Sequence, residues 1–331
     1  MIKLLDCTLR DGAHINKGEF GENSIKEVIL GLIEANIQLI EIGFLQDGEY
    51  SNQQSFFHDL DEVDFLLNNV EQNNSKLGLM LRTDRCAKNK LRKIDSIDFI
   101  RIAFYQSHLE EVKEYSKILK NLGYKVYLNP IAISTYDKDE ILSLLRVINT
   151  IEPNAVSIVD TFGSLDTNTF KKILGLFAKN LDLKIDLGIH LHENLSLSMS
   201  LSNIACETII DRNLIIDSSI QGMGRVPGNL ATELIGSYLN QNYDKKINVG
   251  LIADLAQRFI VKFKDINEWG YNPIYMNSAM LNIDRSYPEF FSEKGFLNID
   301  NIKMQKMIKD SEYGNKFNSK YAEEIITRYK S

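Results

Sequence analysis

Lys184-Ile-Asp-Leu-Gly-Ile-His-Leu-His192 decides the fold. The stretch reads as a strand leaving an apolar core, and it breaks at Glu193-Asn194. Residues two apart on a strand point the same way. The imidazoles of His190 and His192 should therefore emerge together at the strand's C-terminal end. A parallel-sheet enzyme grips a divalent metal in this way, imidazole suiting Mn, Fe, Co, Ni or Zn. Two surface histidines, or two satisfied within a core, are the plain alternative. The chain holds only five histidines, and two of them fall here, which favours a site.

Working outward, short apolar runs alternate with longer amphipathic segments through the first 240 residues or so. The runs are Ile2–Asp6, Leu39–Gly43, Leu77–Leu81, Phe99–Ala103, Lys125–Leu128, Val156–Asp160, Ile185–His190 and Ile215–Gln221. They are rich in Ile, Leu and Val on both faces, as parallel strands covered on both sides should be. Helical spacing recurs over Asn23–Ala35, Leu109–Leu122, Asp137–Ile151 and Thr167–Lys179. Strand–helix units repeated eight times predict an α/β fold, a (β/α)8 TIM barrel, with chemistry at the C-terminal strand ends. A doubly wound open sheet is the rival architecture. It wants a glycine-rich phosphate turn after the first strand, and Arg10-Asp11-Gly12 is not one.

From about Asn242 the alternation stops. Leu251–Lys262, Asn301–Asp310 and Ser319–Tyr329 read as helices, and Trp269–Tyr275 as an aromatic turn. The expected division is a barrel over 1–241 and a smaller helical C-terminal domain over 242–331, packed on the barrel.

With 331 residues the chain can bury a large core. A net charge of -7 and the absence of a basic cluster argue against nucleic acid. No apolar run is long enough to span a bilayer, and Met1-Ile-Lys-Leu-Leu-Asp6 lacks a signal-peptide pattern, so a cytoplasmic location is expected. Cys7, Cys86 and Cys206 are far apart and odd in number, which fits reduced thiols.

Three loops after predicted strands carry chemistry. Directly after strand one comes Leu5-Asp6-Cys7-Thr8-Leu9-Arg10-Asp11-Gly12-Ala13-His14. A solvated turn would explain it; the functional reading makes Asp11 a hard oxygen ligand, Arg10 a fixed cation and His14 a base near working pH. The second is the His190-Leu-His192 segment. The third, Gln221-Gly-Met-Gly-Arg-Val-Pro-Gly-Asn229, has glycines that let backbone approach a ligand, or that serve tight turns. In a closed barrel strands one, seven and eight are neighbours, so motifs 180 to 220 residues apart converge. Two histidines and one carboxylate then form a facial set with open positions.

Asp6-x-Thr8-Leu9-Arg10-Asp11-Gly12, the paired histidines and Gly222-x-Gly224…Gly228-Asn229, in that order, resemble the DRE-TIM metallolyase (HMG-CoA lyase-like) superfamily over the whole barrel. The resemblance implies a divalent metal, Mn2+ or Mg2+, held by Asp11, His190 and His192, with Asn229 as a further or outer ligand. It also implies that Arg10 stabilises an enolate oxygen. His14, in Arg10-Asp11-Gly12-x-His14, matches the catalytic histidine of the 4-hydroxy-2-oxovalerate aldolases. That subgroup carries a helical C-terminal domain whose tyrosine donates a proton, for which Tyr271 and Tyr275 are the candidates. Arg101, Asn129 and Asp160-Thr161 sit at family-like places, and Thr161 is the candidate contact for a pyruvate carboxylate. The departures are Thr161, where the aldolases usually carry serine or a similar small residue, and the loop Phe44–Tyr50.

The expected activity is metal-dependent aldol cleavage or formation of a 4-hydroxy-2-oxo acid through a pyruvate enolate. An acylating aldehyde dehydrogenase is the implied partner, and a homodimer is expected. The second reading is an acyl-CoA-dependent synthase or lyase of the same superfamily, similar to isopropylmalate or homocitrate synthases. A barrel without catalysis, acting as a binding protein, is the third.

Overall fold

A computed structural model describes residues 1–49, 51–265, 267–309 and 311–331. Tyr50, which ends the departing loop, and Asp310, which ends one predicted helix, lie outside the described residues. Eight parallel strands follow the apolar runs: β1 (Ile2–Asp6), β2 (Leu39–Leu45), β3 (Lys76–Arg82), β4 (Phe99–Phe104), β5 (Lys125–Pro130), β6 (Ala155–Val159), β7 (Asp186–His190) and β8 (Leu214–Ser218). Each pairs with its neighbours in order, and the sheet closes because β1 pairs with both β8 and β2. Leu5 lies opposite Leu39 on one side and Asp217 on the other. The closed barrel, rather than the open sheet, is the fold.

The surrounding helices are α1 (Glu22–Glu34), α2 (Leu60–Leu66), α3 (Leu109–Asn121), α4 (Lys138–Ile151), α5 (Thr167–Asn180), α6 (Ser198–Thr208) and α7 (Thr232–Tyr243). Their starts are chemically marked. Asp137 and Glu140 form a reciprocal capping box on α4, which buries Ile141, Leu144, Leu145 and Ile148. Asp166 caps α5 through the N–H groups of Asn168 and Thr169.

Within the barrel, two sequence expectations need correction. Between β3 and β4 the unit has no full helix among the described residues, only a 3-10 turn over Lys88–Lys90. The last strand stops at Ser218 rather than Gln221, because the chain turns there and Gln221 takes a left-handed φ of 52°.

The barrel interior is layered. At its base Leu5, Leu39, Phe99, Tyr127, Ala155 and Ile215 form an apolar plug, with Phe99 and Tyr127 stacked at 4.9 Å. Burying a ring such as Phe99 contributes about 1.5–3 kcal/mol. Gly78 makes room for it, since a Cβ there would stand 2.1 Å from the Phe99 ring. Two residues further along these strands come Glu41, Arg101, Asn129, Ser157 and Asp217, all buried. Period-two alternation therefore stacks a polar layer directly on the apolar one.

Beyond the barrel, the predicted helix 251–262 starts earlier, as α8 (Val249–Leu255), and continues through a wider π turn and a 3-10 turn to Asp265. Leu255 packs on α1 over Gly31, where a Cβ would meet it at 2.6 Å. The aromatic turn is shorter than predicted: Asn272 caps a helix, α9 (Pro273–Met280), which contains Tyr275. Three more helices follow, α10 (Ser286–Glu293), α11 (Asn298–Ile308) and α12 (Ser319–Lys330). The barrel's apolar core continues through Ile247 to Trp269, and a second cluster built on Ile283, Tyr287, Phe291, Met304 and Ile325 lies among these helices. We propose the division 1–241 and 242–331 on that basis, with the first helical turns after 242 serving the barrel. Among the described residues no helix is long and apolar enough to cross a membrane. The three cysteines are buried and unpaired.

Candidate metal centre and its cavity

β1 ends in a tight knot that aims two side chains. The Asp6 carboxylate accepts the Thr8 N–H at 2.9 Å and the Thr232 hydroxyl at 2.6 Å. The Thr8 hydroxyl accepts the Ile220 N–H at 2.7 Å, tying this end to the loop after β8. The short helical turn Thr8–Asp11 that follows buries Arg10 and Asp11 at the barrel mouth.

Asp11, His190 and His192 converge there, one ligand atom from each lying within 4.8 Å of the others. Asp11 Oδ2 stands 3.7 Å from His190 Nε2 and 3.9 Å from His192 Nε2. Both imidazoles are anchored through the opposite nitrogen: His190 Nδ1 donates to Asp217 Oδ2 at 3.0 Å, and His192 Nδ1 to the Asp160 carbonyl at 2.8 Å. This fixes the tautomers and leaves two Nε2 lone pairs facing one carboxylate, the arrangement a ligated divalent ion requires. Burial and the Arg285 charge push His192 well below the ordinary histidine value, so it stays neutral. Burial pushes Asp11 up, but Arg10 and the nearby histidines outweigh it and hold the carboxyl well below the usual range. An ionised oxygen and a neutral imidazole, with a second imidazole beside them, suit a divalent cation.

Asn229 donates from Nδ2 to Asp11 Oδ2 at 2.5 Å, while its buried Oδ1 has no partner among the described residues. The glycines around it act on this residue. A Cβ at Gly224 would stand 2.3 Å from Asn229 Nδ2 and 3.1 Å from Asp11 Oδ2; one at Gly222, whose φ is +64°, would stand 2.5 Å from the Asn229 carbonyl. The loop folds back on itself and presents Asn229 only because those positions lack side chains.

Arg10 is held from two sides, Nε on Glu41 at 2.6 Å and Nη1 on Asp11 at 2.8 Å. Its Nη2 makes no hydrogen bond among the described residues, and the side chain lines the cavity. Below it Arg101 bonds Glu41 at 3.3 Å, Asn129 at 3.2 Å and the Asp217 carboxylate. An alternating chain thus runs from Arg10 through Glu41, Arg101 and Asp217 to His190. Every member is buried.

The cavity above has a volume of about 140 Å³. His14 stands at its mouth, its ring edge-on to Phe44 at 5.9 Å and its Nε2 3.7 Å from Asp11 Oδ1. Its side chain is 41% exposed; the protein packed on its inner side pushes its pKa down and Asp11 pulls it up less, which favours the neutral imidazole at neutral pH. Thr161 lines the far side; its Oγ1 accepts the Ala132 N–H at 2.7 Å. Neither Tyr271 nor Tyr275 is among the lining residues. Tyr271 is exposed, its hydroxyl 3.6 Å from Met276 Sδ. What the C-terminal region brings to the lining is Arg285, joined by Arg225 from the loop after β8.

The site thus collects Arg10, Asp11, His14, Thr161, His190, His192 and Asn229 as predicted. Glu41, Asp217, Arg225 and Arg285 were missed. For the first two a signal existed, a lone acid at an inward position of an apolar strand. No sequence pattern marks Arg285.

Residues 100–258 match the HMGL-like family model. The 4-hydroxy-2-oxovalerate aldolase of Geobacillus genomosp. 3 is 23% identical over 287 residues, 85% of this chain and 82% of the relative. Among solved structures, the N-terminal domain of a protein described as an aldolase, from Bacteroides vulgatus, aligns at a TM-score of 0.76 and 25% identity, covering 91% of this chain and 99% of that one. The HMG-CoA lyase of Brucella melitensis shares the fold, with a TM-score of 0.63 and 15% identity over 77% of this chain and 96% of the other.

Proposed function

We propose that this chain, a member of the DRE-TIM metallolyase superfamily, is a divalent-metal-dependent aldolase that cleaves or forms a 4-hydroxy-2-oxo acid through a pyruvate enolate. The observation that carries the reading is a convergence: two anchored histidines turn their Nε2 atoms toward Asp11, and Arg10 and His14 line the same small cavity. Asp11, His190 and His192 would hold the metal, Mn2+ or Mg2+, with Asn229 at its edge. A divalent ion there supplies Lewis acidity toward the 2-oxo and carboxylate oxygens of the substrate.

The chain's own residues do the rest. In the cleavage direction neutral His14 takes the proton of the 4-hydroxyl. The C3–C4 bond breaks, the aldehyde leaves, and the electron pair moves onto C3 and the C2 oxygen. Arg10 donates its free N–H to that oxygen as charge develops, a fork geometry that lysine lacks. Glu41 and Asp11 hold the guanidinium in place beforehand, so little reorganisation accompanies the reaction. The enolate then takes a proton at C3, the one His14 accepted or one from solvent with which His14 exchanges it, giving pyruvate and restoring neutral His14. Thr161 keeps its hydroxyl proton for the carboxylate, since the Ala132 N–H uses only an acceptor lone pair.

The exposed Met280, Leu297 and Ile299 of the C-terminal helices support a homodimer. An acylating aldehyde dehydrogenase stays the proposed partner on resemblance alone. The reading is tested by supplying 4-hydroxy-2-oxopentanoate with Mn2+ and following pyruvate release through lactate dehydrogenase and NADH. Release that falls steeply in His14→Ala is expected. A filled metal site with no release from any 4-hydroxy-2-oxo acid would overturn it.

A further inference from the structure

Arg285 sits at the start of α10 and reaches into the cavity wall, 4% exposed. Its Nη1 donates to the carbonyls of Arg225 and Val226 at 3.2 and 3.3 Å, which pins the side chain to the loop after β8. Its buried Nε has no partner, and no carboxylate lies within ion-pair distance of it among the described residues. The neighbouring cation, Arg225, is already engaged by the Ser286 hydroxyl at 2.7 Å and Glu289 at 3.4 Å. Burial, then Arg225, push the Arg285 guanidinium down to about 9 against the smaller opposing pull of Glu289, Asp11 and Asp284, none of them in an ion pair with it, so it remains charged at neutral pH. A buried charge held without a counter-ion is costly, and proteins keep one where an anionic ligand completes the pair.

The chemistry of the substrate selects which anion. In a 4-hydroxy-2-oxo acid the carboxylate is three carbons from the hydroxyl-bearing carbon. If His14 takes the hydroxyl proton on the β1 side, against Phe44, the carboxylate must lie across the cavity. Thr161 lines that side, and His192 and Asp160 there feel the Arg285 charge. We propose that Arg285 seats the carboxylate of the 2-oxo acid, making the C-terminal helical region part of the substrate site. The inference rests on the aldolase reading for the identity of the acid.

The test measures binding rather than turnover. Calorimetric titrations of the Mn2+-supplemented full chain compare pyruvate with its neutral isostere pyruvamide, for wild type, Arg285→Met and Arg285→Lys. A charge-assisted contact is worth roughly 10- to 100-fold in affinity. Arg285→Met should therefore weaken pyruvate by about that factor, leave pyruvamide within about threefold and keep its metal, with Arg285→Lys in between. Undiminished preference for pyruvate in Arg285→Met, or equal weakening of both ligands, would overturn the seat. So would a wild type that binds neither. An enzyme that binds pyruvate through Arg285 yet never enolises it would overturn the aldolase reading alone. If Arg285→Met binds pyruvate as tightly as wild type while wild type enolises it, only the seat fails.

Discussion

Replacing Asp217 with asparagine should weaken metal binding without removing a ligand. Asp217 Oδ2 accepts from His190 Nδ1 at 3.0 Å and from Arg101, and all three residues are buried. Burial pushes this carboxyl up, yet Arg101 and His190 hold it below the ordinary aspartate value, so it is an anion at neutral pH. A hydrogen bond to a charged acceptor contributes about 1.5–3 kcal/mol and a neutral one about 0.5–1.5 kcal/mol. The asparagine therefore gives up about 1–1.5 kcal/mol of the hold on His190. That energy is a factor of about 5 to 12 in affinity, at the low end of what losing an outer partner of a metal ligand costs. The expected result is a Mn2+ dissociation constant raised by that factor, read from the free-ion electron paramagnetic resonance signal during titration. Asp186→Asn, also on β7, is the control. Its carboxylate pairs at 3.2 Å with Lys3 on a partly exposed face, and such pairs are worth about 0–1 kcal/mol. Wild-type Mn2+ affinity in folded Asp217→Asn, or the same loss in Asp186→Asn, would refute the reasoning.

Arg10→Lys should fold and keep its metal but lose most turnover, because a single ammonium nitrogen cannot take the separate places of Nε on Glu41, Nη1 on Asp11 and Nη2 in the cavity; steady-state kinetics with elemental analysis decides. His14→Ala should spare metal content and reduce carbon–carbon cleavage about 10²- to 10⁴-fold, the usual worth of a general base. A collapse of metal content there would make His14 a ligand instead. Gly224→Ala should cost both metal and activity, since its Cβ would stand 2.3 Å from Asn229 Nδ2; Mn2+ titration of the folded variant reads it directly.

How far residues alone reach is visible in particular elements. The strands were legible because parallel strands buried on both faces are near-continuous Ile, Leu and Val runs, and β1 was placed to the residue. The missing helix after β3 was not, because a loop that satisfies its own backbone needs no period. Asp11, His190 and His192 were legible as a set because barrel closure makes strands one, seven and eight neighbours. Glu41 and Asp217 escaped notice: each is one acid in an apolar run, and only their hydrogen bonds to Arg101 show them meeting it inside the barrel. Arg285 depends on how helices far along the chain pack over the barrel mouth, which no local pattern encodes. The tyrosines were drawn from resemblance, and the packing leaves both outside the cavity lining.

The most direct test of the central claim is hydrogen exchange at the pyruvate methyl group. Metal-stripped protein is incubated with pyruvate in heavy water, with and without Mn2+, and the methyl signal is followed by NMR. Loss of the signal only with Mn2+, abolished in Arg10→Lys, is the expected result. A methyl signal that persists although the site is filled would contradict enolate formation by this cluster.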